Sequence, residues 1–288
     1  MLNHVIDLLA DPADLTPLSG ADDFSRLVSE SGHSFDVAKQ GYVTLAAGAG
    51  IKHQGDDAAM VAARETFLSQ GHFAPFVEAV TDAVHEVFDE TLSDEVRTPA
   101  ILEVGAGTGY YLSHTLDDVE GAVGIGLDTS VPAAKLLAKA HPRIGAVVAD
   151  VWQRLPIRNN VLNAITVVFA PRNPAEFARV LADDGQVVVL TADPGHLDEL
   201  RDPLGILSVE DGKVERMIEQ AAGYLAPVGD PELIEFPMTL DRDSIAAQVG
   251  MSPSARHIDP ADLAVRLSAL PDTMTVTARA QLTRLAKS

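Results

Sequence analysis

The run ILEVGAGTGYY, residues 101–111, constrains the fold of this chain more than any other segment. An apolar strand end leads into three alternating glycines, Gly105, Gly107 and Gly109, and helix-forming YYLSHTLDD follows. Glycine lets a backbone turn tightly and approach a ligand, while the free N–H groups of a helix start face that ligand. A G-x-G-x-x-G dinucleotide loop would need glycine at position 110, where this chain has Tyr110, so the register is E-x-G-x-G-x-G from Glu103. Three such glycines raise the entropy cost of folding, and a bound ligand explains them better than a bare turn.

The surroundings fit an α/β chain. AILEV, AVGIGLD, IGAVVAD, LNAITVVFA and QVVVLTA read as short apolar strands, separated by the helices YYLSHTLDD, VPAAKLLAKA and PAEFARVLADDG. Strands of this kind alternating with helices predict a parallel sheet covered on both faces. Upstream, AAMVAARETFLSQG and FAPFVEAVTDAVHEVFDETL form a helical lead-in over 56–90, with Gly71 as the stop between two helices. Beyond Pro194 helices are expected through HLDELRDPLG, GKVERMIEQAAGYL, RDSIAAQVG and DPADLAVRLSALP. The alternating LIEFPMTL and TMTVTARAQLTRL are expected to pair as a late antiparallel hairpin. Residues 1–55 differ in texture, with turns, short semi-apolar pieces and the glycine-rich AAGAGIKHQGDD. They are read as a small lobe, and 56–288 as the main domain.

Strand ends supply the next polar candidates. Asp128 closes the second strand, where a carboxylate either accepts both hydroxyls of a ribose over the glycine loop or caps the next helix. Asp150 closes the third strand and reads as an adenine contact or a loop cap. Trp152 reads as a stacking partner, a lid or a core residue. Asp56, Arg64 and His72 lie in the lead-in, each with a structural alternative: helix cap, surface ion pair and helix terminus. Tyr42, Phe73 and Tyr110 are aromatic candidates for holding a base, or core residues.

Charge and composition narrow the partners. Forty-two acidic against 21 basic residues give a net charge of −21, a field that repels phosphates and argues against DNA and against generic nucleic-acid binding. With 47% hydrophobic residues the chain can bury a sizeable core. It has no cysteine, hence no disulfide, thiolate metal site or cysteine nucleophile. No apolar run of about 18 residues is present, and the first residues are acidic, so a cytoplasmic protein without a membrane partner is expected.

Together, GHSFDVAKQGYVTL, GDDAAMVAARETFLSQGHFAPF, ILEVGAGTGYYLSHTL and VVFAPRNPAEFARVLADDGQVVV resemble the family of 23S ribosomal RNA guanine-N1 methyltransferases, which includes enzymes associated with tylosin resistance. The resemblance implies a Rossmann-like class I methyltransferase fold: a seven-stranded, mostly parallel sheet with a carboxy-terminal antiparallel hairpin and a small amino-terminal lobe. It also implies S-adenosyl-L-methionine as cofactor and structured ribosomal RNA as partner. By the same resemblance Glu103, Gly105, Ala106, Gly107, Thr108, Gly109, Asp128, Thr129, Asp150, Val151 and Ala170 would bind the cofactor. Asp56, Arg64, His72 and Arg172 would serve the acceptor, Asp56 by assisting loss of the guanine N1 proton.

The chain departs from this family at its amino-terminal end. Where the family resembles a small zinc module with three cysteines and a histidine, this sequence has Asp11, Asp14, Ser29 and His33, and no structural metal is expected. The lobe carries seven acidic residues against three Lys or Arg, the wrong sign for a phosphate grip. The most basic stretch lies at Lys135, Lys139, Arg143, Arg154 and Arg158, read as scattered surface charge or as the RNA footprint. The alternative function is a cofactor-binding protein with a non-RNA acceptor or an interaction role.

Overall fold

Five apolar strands, β5 (Ala100–Val104), β6 (Val123–Asp128), β7 (Ile144–Val148), β8 (Leu162–Val168) and β9 (Leu181–Ala192), are parallel neighbours in the order β7-β6-β5-β8-β9 in the computed structural model of the chain. It describes residues 2–46, 50–91 and 98–288; positions 47–49 of the glycine-rich run and Leu92 of the lead-in lie outside them. Every residue of β5 and β7 is buried, as a sheet covered on both faces requires. One face carries α3 (Ala74–Thr91), α4 (Tyr110–Asp118) and α5 (Val131–Ala140). The other carries α1 (Leu2–Val5), α6 (Pro174–Val180) and α8 (Lys213–Ala221).

The carboxy-terminal strands complete the sheet. β12 (Thr273–Lys287) lies antiparallel to β9 and pairs on its other edge with β11 (Glu232–Asp241) and the short β10 (Leu225–Pro227). The expected hairpin is therefore an antiparallel pair, though its connection is not a tight turn. α9 (Arg242–Gly250) and α10 (Pro260–Ser268) intervene, and α7 (Asp198–Leu204) follows β9. Helix α6 is shorter than its sequence suggests: it ends at Val180, because Leu181 already pairs with Leu162 and the ADDG stretch bulges into β9.

The sheet has nine strands in all. Besides the split first strand of the late pair, the addition is β4 (Tyr42–Thr44), which runs parallel to β7 at the far edge. The stretch 1–55 thus contributes both β4 and α1 to the main body, with Val5 and Val43 fully buried. Its own sheet is the three-stranded β1 (Leu18–Ala21), β2 (Arg26–Ser29) and β3 (Ser34–Asp36). Helix α2 (Ala58–Ser69) is capped by Asp57, whose carboxylate accepts from the N–H groups of Ala59 and Met60. Asp56, one residue earlier, is left free for other work. Among the described residues no helix is long and apolar enough to cross a membrane.

Candidate active site

A cavity of about 790 Å³ opens at the carboxyl ends of β5 to β9, where an open α/β sheet places its ligands. Val104 and Gly105, Leu127 to Thr129, Ala149 to Val151, Val168 to Arg172, and Thr191 and Ala192 line it in turn. The loop after β5 divides its labour. Gly107 (φ +54°) faces the cavity, and a side chain there would come within 3.2 Å of Arg64 Cδ. Gly109 (φ +85°) is a packing residue instead, because a Cβ would strike Leu137 and Ala140 at 2.8 and 2.9 Å. Both sit in the left-handed region that L side chains avoid.

Glu103, Ala106, Thr108 and Gly109 do not line the cavity. Glu103 lies under the loop, where its Oε2 accepts from Leu112 N–H at 3.0 Å, and burial pushes its carboxyl up to about 8. Asp128 holds the loop from the front, accepting from Gly107 N–H at 2.9 Å and Ser130 N–H at 2.7 Å. Burial raises its pKa against those two donors, and a carboxylate has further lone pairs to offer.

The segment between the lobe and α2 crosses in front of this end. His53 Nδ1 meets Asp150 Oδ2 at 2.8 Å, and Asp150 Oδ1 accepts from Trp152 N–H, so both oxygens already have partners. Trp152 is exposed at the rim, 6.4 Å from the His53 ring. Asp56 lines the cavity and is shared by Arg64, at 2.7 Å, and Arg256, at 3.6 Å. Arg64 also donates to Met251 O, yet its buried Nε has no hydrogen-bond partner.

His72 lies elsewhere. Its ring packs on Phe67 and meets Gln70 and Ser244 at the joint of α2 and α9, outside the cavity, because Gly71 has already ended α2. Tyr42 and Tyr110 pack against the core and are not cavity residues, whereas Phe73 is both buried and at the wall.

The cavity wall also includes residues the sequence did not single out. Phe169, His196, Ile206, Lys213, Arg216 and Gln248 come from loops and helices that meet only in the fold. Phe169 is exposed and holds φ +51°, a conformation that costs a bulky residue energy. Such strain leaves no mark in a sequence. The cations at the cavity are Arg64, Arg172, Lys213, Arg216 and Arg256, none from the basic stretch expected to face RNA. In that stretch Arg143 donates to the carbonyls of Leu116, Val119 and Ala122, and Arg158 donates to Asp7 O, so both fasten backbone.

In the lobe, Asp11 and His33 pair at 2.7 Å, Ser29 and Ser31 hydrogen-bond beside them, and Asp14 accepts from Thr16. The donor atoms of Asp11, Asp14 and His33 lie within 4.8 Å of one another. Two carboxylates already engaged in hydrogen bonds, with one imidazole and no thiolate, do not fit a structural zinc.

No protein-family model matches the chain. A candidate 23S rRNA (guanine-N1)-methyltransferase of Micromonospora griseorubida is 43% identical over 261 residues, 88% of each chain. The 23S rRNA (guanine(748)-N1)-methyltransferase of Streptomyces fradiae is 39% identical over 277 residues, 96% of each. Among solved structures, a candidate Haloferax volcanii methyltransferase in complex with the activator Trm112 superposes with a TM-score of 0.48 at 15% identity, over 82% of this chain and 99% of that one.

Proposed function

This chain belongs to the family of 23S ribosomal RNA guanine-N1 methyltransferases, and from that premise we propose that it methylates N1 of a guanine in 23S rRNA with S-adenosylmethionine as donor. The observation that carries the reading is a cavity lined both by Gly107 and Asp128 of the glycine loop and by an aromatic and cationic set that includes Phe73, Phe169, His196, Arg172 and Lys213. When bound, the cofactor supplies an electrophilic methyl group on a sulfonium.

The chain's own residues hold and align. Asp128 accepts the ribose hydroxyls, and Gly107 leaves room above the loop. Arg64 offers its unpartnered Nε to the carboxylate of the methionine moiety, a buried donor otherwise left unsatisfied. Asp150 and Val151 border the adenine, with His53 competing for the Asp150 carboxylate. On the acceptor side, Ala170 and Arg172 shape the strand end, and Phe169 offers a face on which an unpaired base stacks. Neutral guanine carries a proton on N1. The carboxylate of Asp56, held by Arg64 and Arg256, would take that proton as the donor's methyl group passes from sulfur to N1. Binding both partners in one cavity would bring nucleophile and methyl donor into register and displace the water between them.

RNA approaches against a net charge of −21, so the cations lining the cavity supply the local attraction. The test is transfer of labelled methyl groups to protein-free 23S rRNA and to assembled ribosomes from a strain lacking the protein, with mapping of the modified nucleotide. Label on N1 of one guanine is expected. Label on another atom or base, or on neither RNA, overturns the reading.

A further inference from the structure

We infer that His196 is a specificity-determining residue, whose Nε2–H donates to O6 of the target guanine and steadies that oxygen as N1 loses its proton. The inference rests on the guanine-N1 reading of the cavity and names the group within it that selects the base.

The ring's other nitrogen fixes the tautomer. Nδ1 of His196 accepts from the backbone N–H of Arg279 at 3.0 Å. A backbone N–H can only donate, so Nδ1 is bare and the hydrogen of the neutral ring sits on Nε2. The donating strand is itself fastened, since the Arg279 guanidinium holds Asp193 Oδ2 at 2.6 Å and also pairs with Glu235. Burial drives the ring's pKa down to about 4, opposed by the Arg279 backbone and by Glu199 and aided by Lys213, so it is neutral at physiological pH. Phe73, Phe76 and Phe169 surround it at centroid distances of 6.2, 6.3 and 5.9 Å and oppose reorientation. Among the described residues Nε2 has no hydrogen-bond partner, and His196 lines the cavity beside Phe169.

What the protein presents at this point is a fixed donor that cannot become an acceptor without breaking the Arg279 bond. Guanine offers an acceptor, O6, next to N1; adenine offers the N6 amino group there, a donor facing a donor. A site built around one such bond rejects the base that cannot make it far more strongly than a shape-only pocket does. As the N1 proton leaves, negative charge spreads from N1 onto O6, and a preorganised donor at that oxygen lowers the barrier.

The experiment measures methyl transfer to the wild-type protein's own mapped hairpin, made with guanosine, 6-thioguanosine or 7-deazaguanosine at the target. The proteins are wild type, His196→Asn and His196→Gln, each also titrated with cofactor by calorimetry. Wild type is expected to lose at least about tenfold in kcat on 6-thioguanosine, whose sulfur is a poor acceptor, and little on 7-deazaguanosine. His196→Asn, lacking a group at Nε2, should fall about 10²-fold in kcat on guanosine, the range for removing one such donor. It should no longer distinguish guanosine from 6-thioguanosine. His196→Gln, which restores an N–H near Nε2, should recover much of the rate, with cofactor affinity unchanged in both variants. Full activity of His196→Asn overturns the inference. So does wild-type indifference to sulfur at position 6, a result independent of whether either variant folds. If wild type labels no guanine in any RNA, the underlying reading fails instead, and the inference with it.

Discussion

At the scale of single residues, burial raises the pKa of the two carboxyls that flank the glycine loop, Glu103 and Asp128. Glu103 has an ordinary pKa of 4.5 that burial raises to about 8, so the folded chain keeps this proton where the unfolded chain has released it. Stability from this group is therefore fully present below about pH 4.5 and declines as pH rises toward about 8. Thermal melts between pH 6 and 8.5 should show Glu103→Gln losing less stability with rising pH than wild type; parallel slopes would contradict the assignment. In front of the loop, Asp128→Ala removes charged acceptors worth about 1.5–3 kcal/mol and should weaken cofactor binding roughly tenfold to a hundredfold. Gly107→Trp should abolish that binding by filling the space beside Arg64. Calorimetry measures both, and unchanged affinity in either would place the cofactor elsewhere.

Helices and strands contribute by where they end. Arg143 ties the end of α4 to the turn before β6, its guanidinium donating to the carbonyl of Leu116 in the helix and to those of Val119 and Ala122 beyond it. Arg143→Ala is expected to lower unfolding free energy by about 1–3 kcal/mol while leaving RNA affinity unchanged. Denaturant melts and filter binding would separate this from an RNA contact, for which affinity would fall and stability would hold. The same logic explains the lead-in. Asp57 caps α2, and this releases Asp56 for Arg64 and Arg256, so two adjacent carboxylates in GDD have unrelated tasks.

For the whole molecule, the question is how so acidic a chain meets RNA. The charge of −21 repels phosphates at long range, whereas Arg172, Lys213, Arg216 and Arg256 act only near the cavity. Association with a hairpin should therefore be slow at low salt and hold level or quicken between about 50 and 200 mM, as screening shortens the reach of the repulsion. The equilibrium constant should depend on salt only as a few phosphate contacts require. Stopped-flow rates that fall steeply over this range would mean steering by a basic surface after all.

The parallel sheet was legible because β5 to β9 are short runs buried on both faces, and such runs look alike in any α/β chain. The ILEVGAGTGYY loop was equally plain, since alternating glycines before a helix have few other uses. What periodicity could not reveal was β4 at the sheet edge: three residues carry too little pattern, and only pairing with β7 makes them a strand. Nor could it separate Gly107 at the cavity from Gly109 against α5, as one glycine looks like another until its neighbours are in place. His196, Phe169, Lys213 and Arg256 come from distant stretches, and nothing local to each tells that they face one cavity. Local propensity and burial period are properties of neighbouring residues, so the chain itself carries them. A site assembled from the ends of five strands, the lead-in before them and three later segments exists only once long-range packing has brought those pieces together.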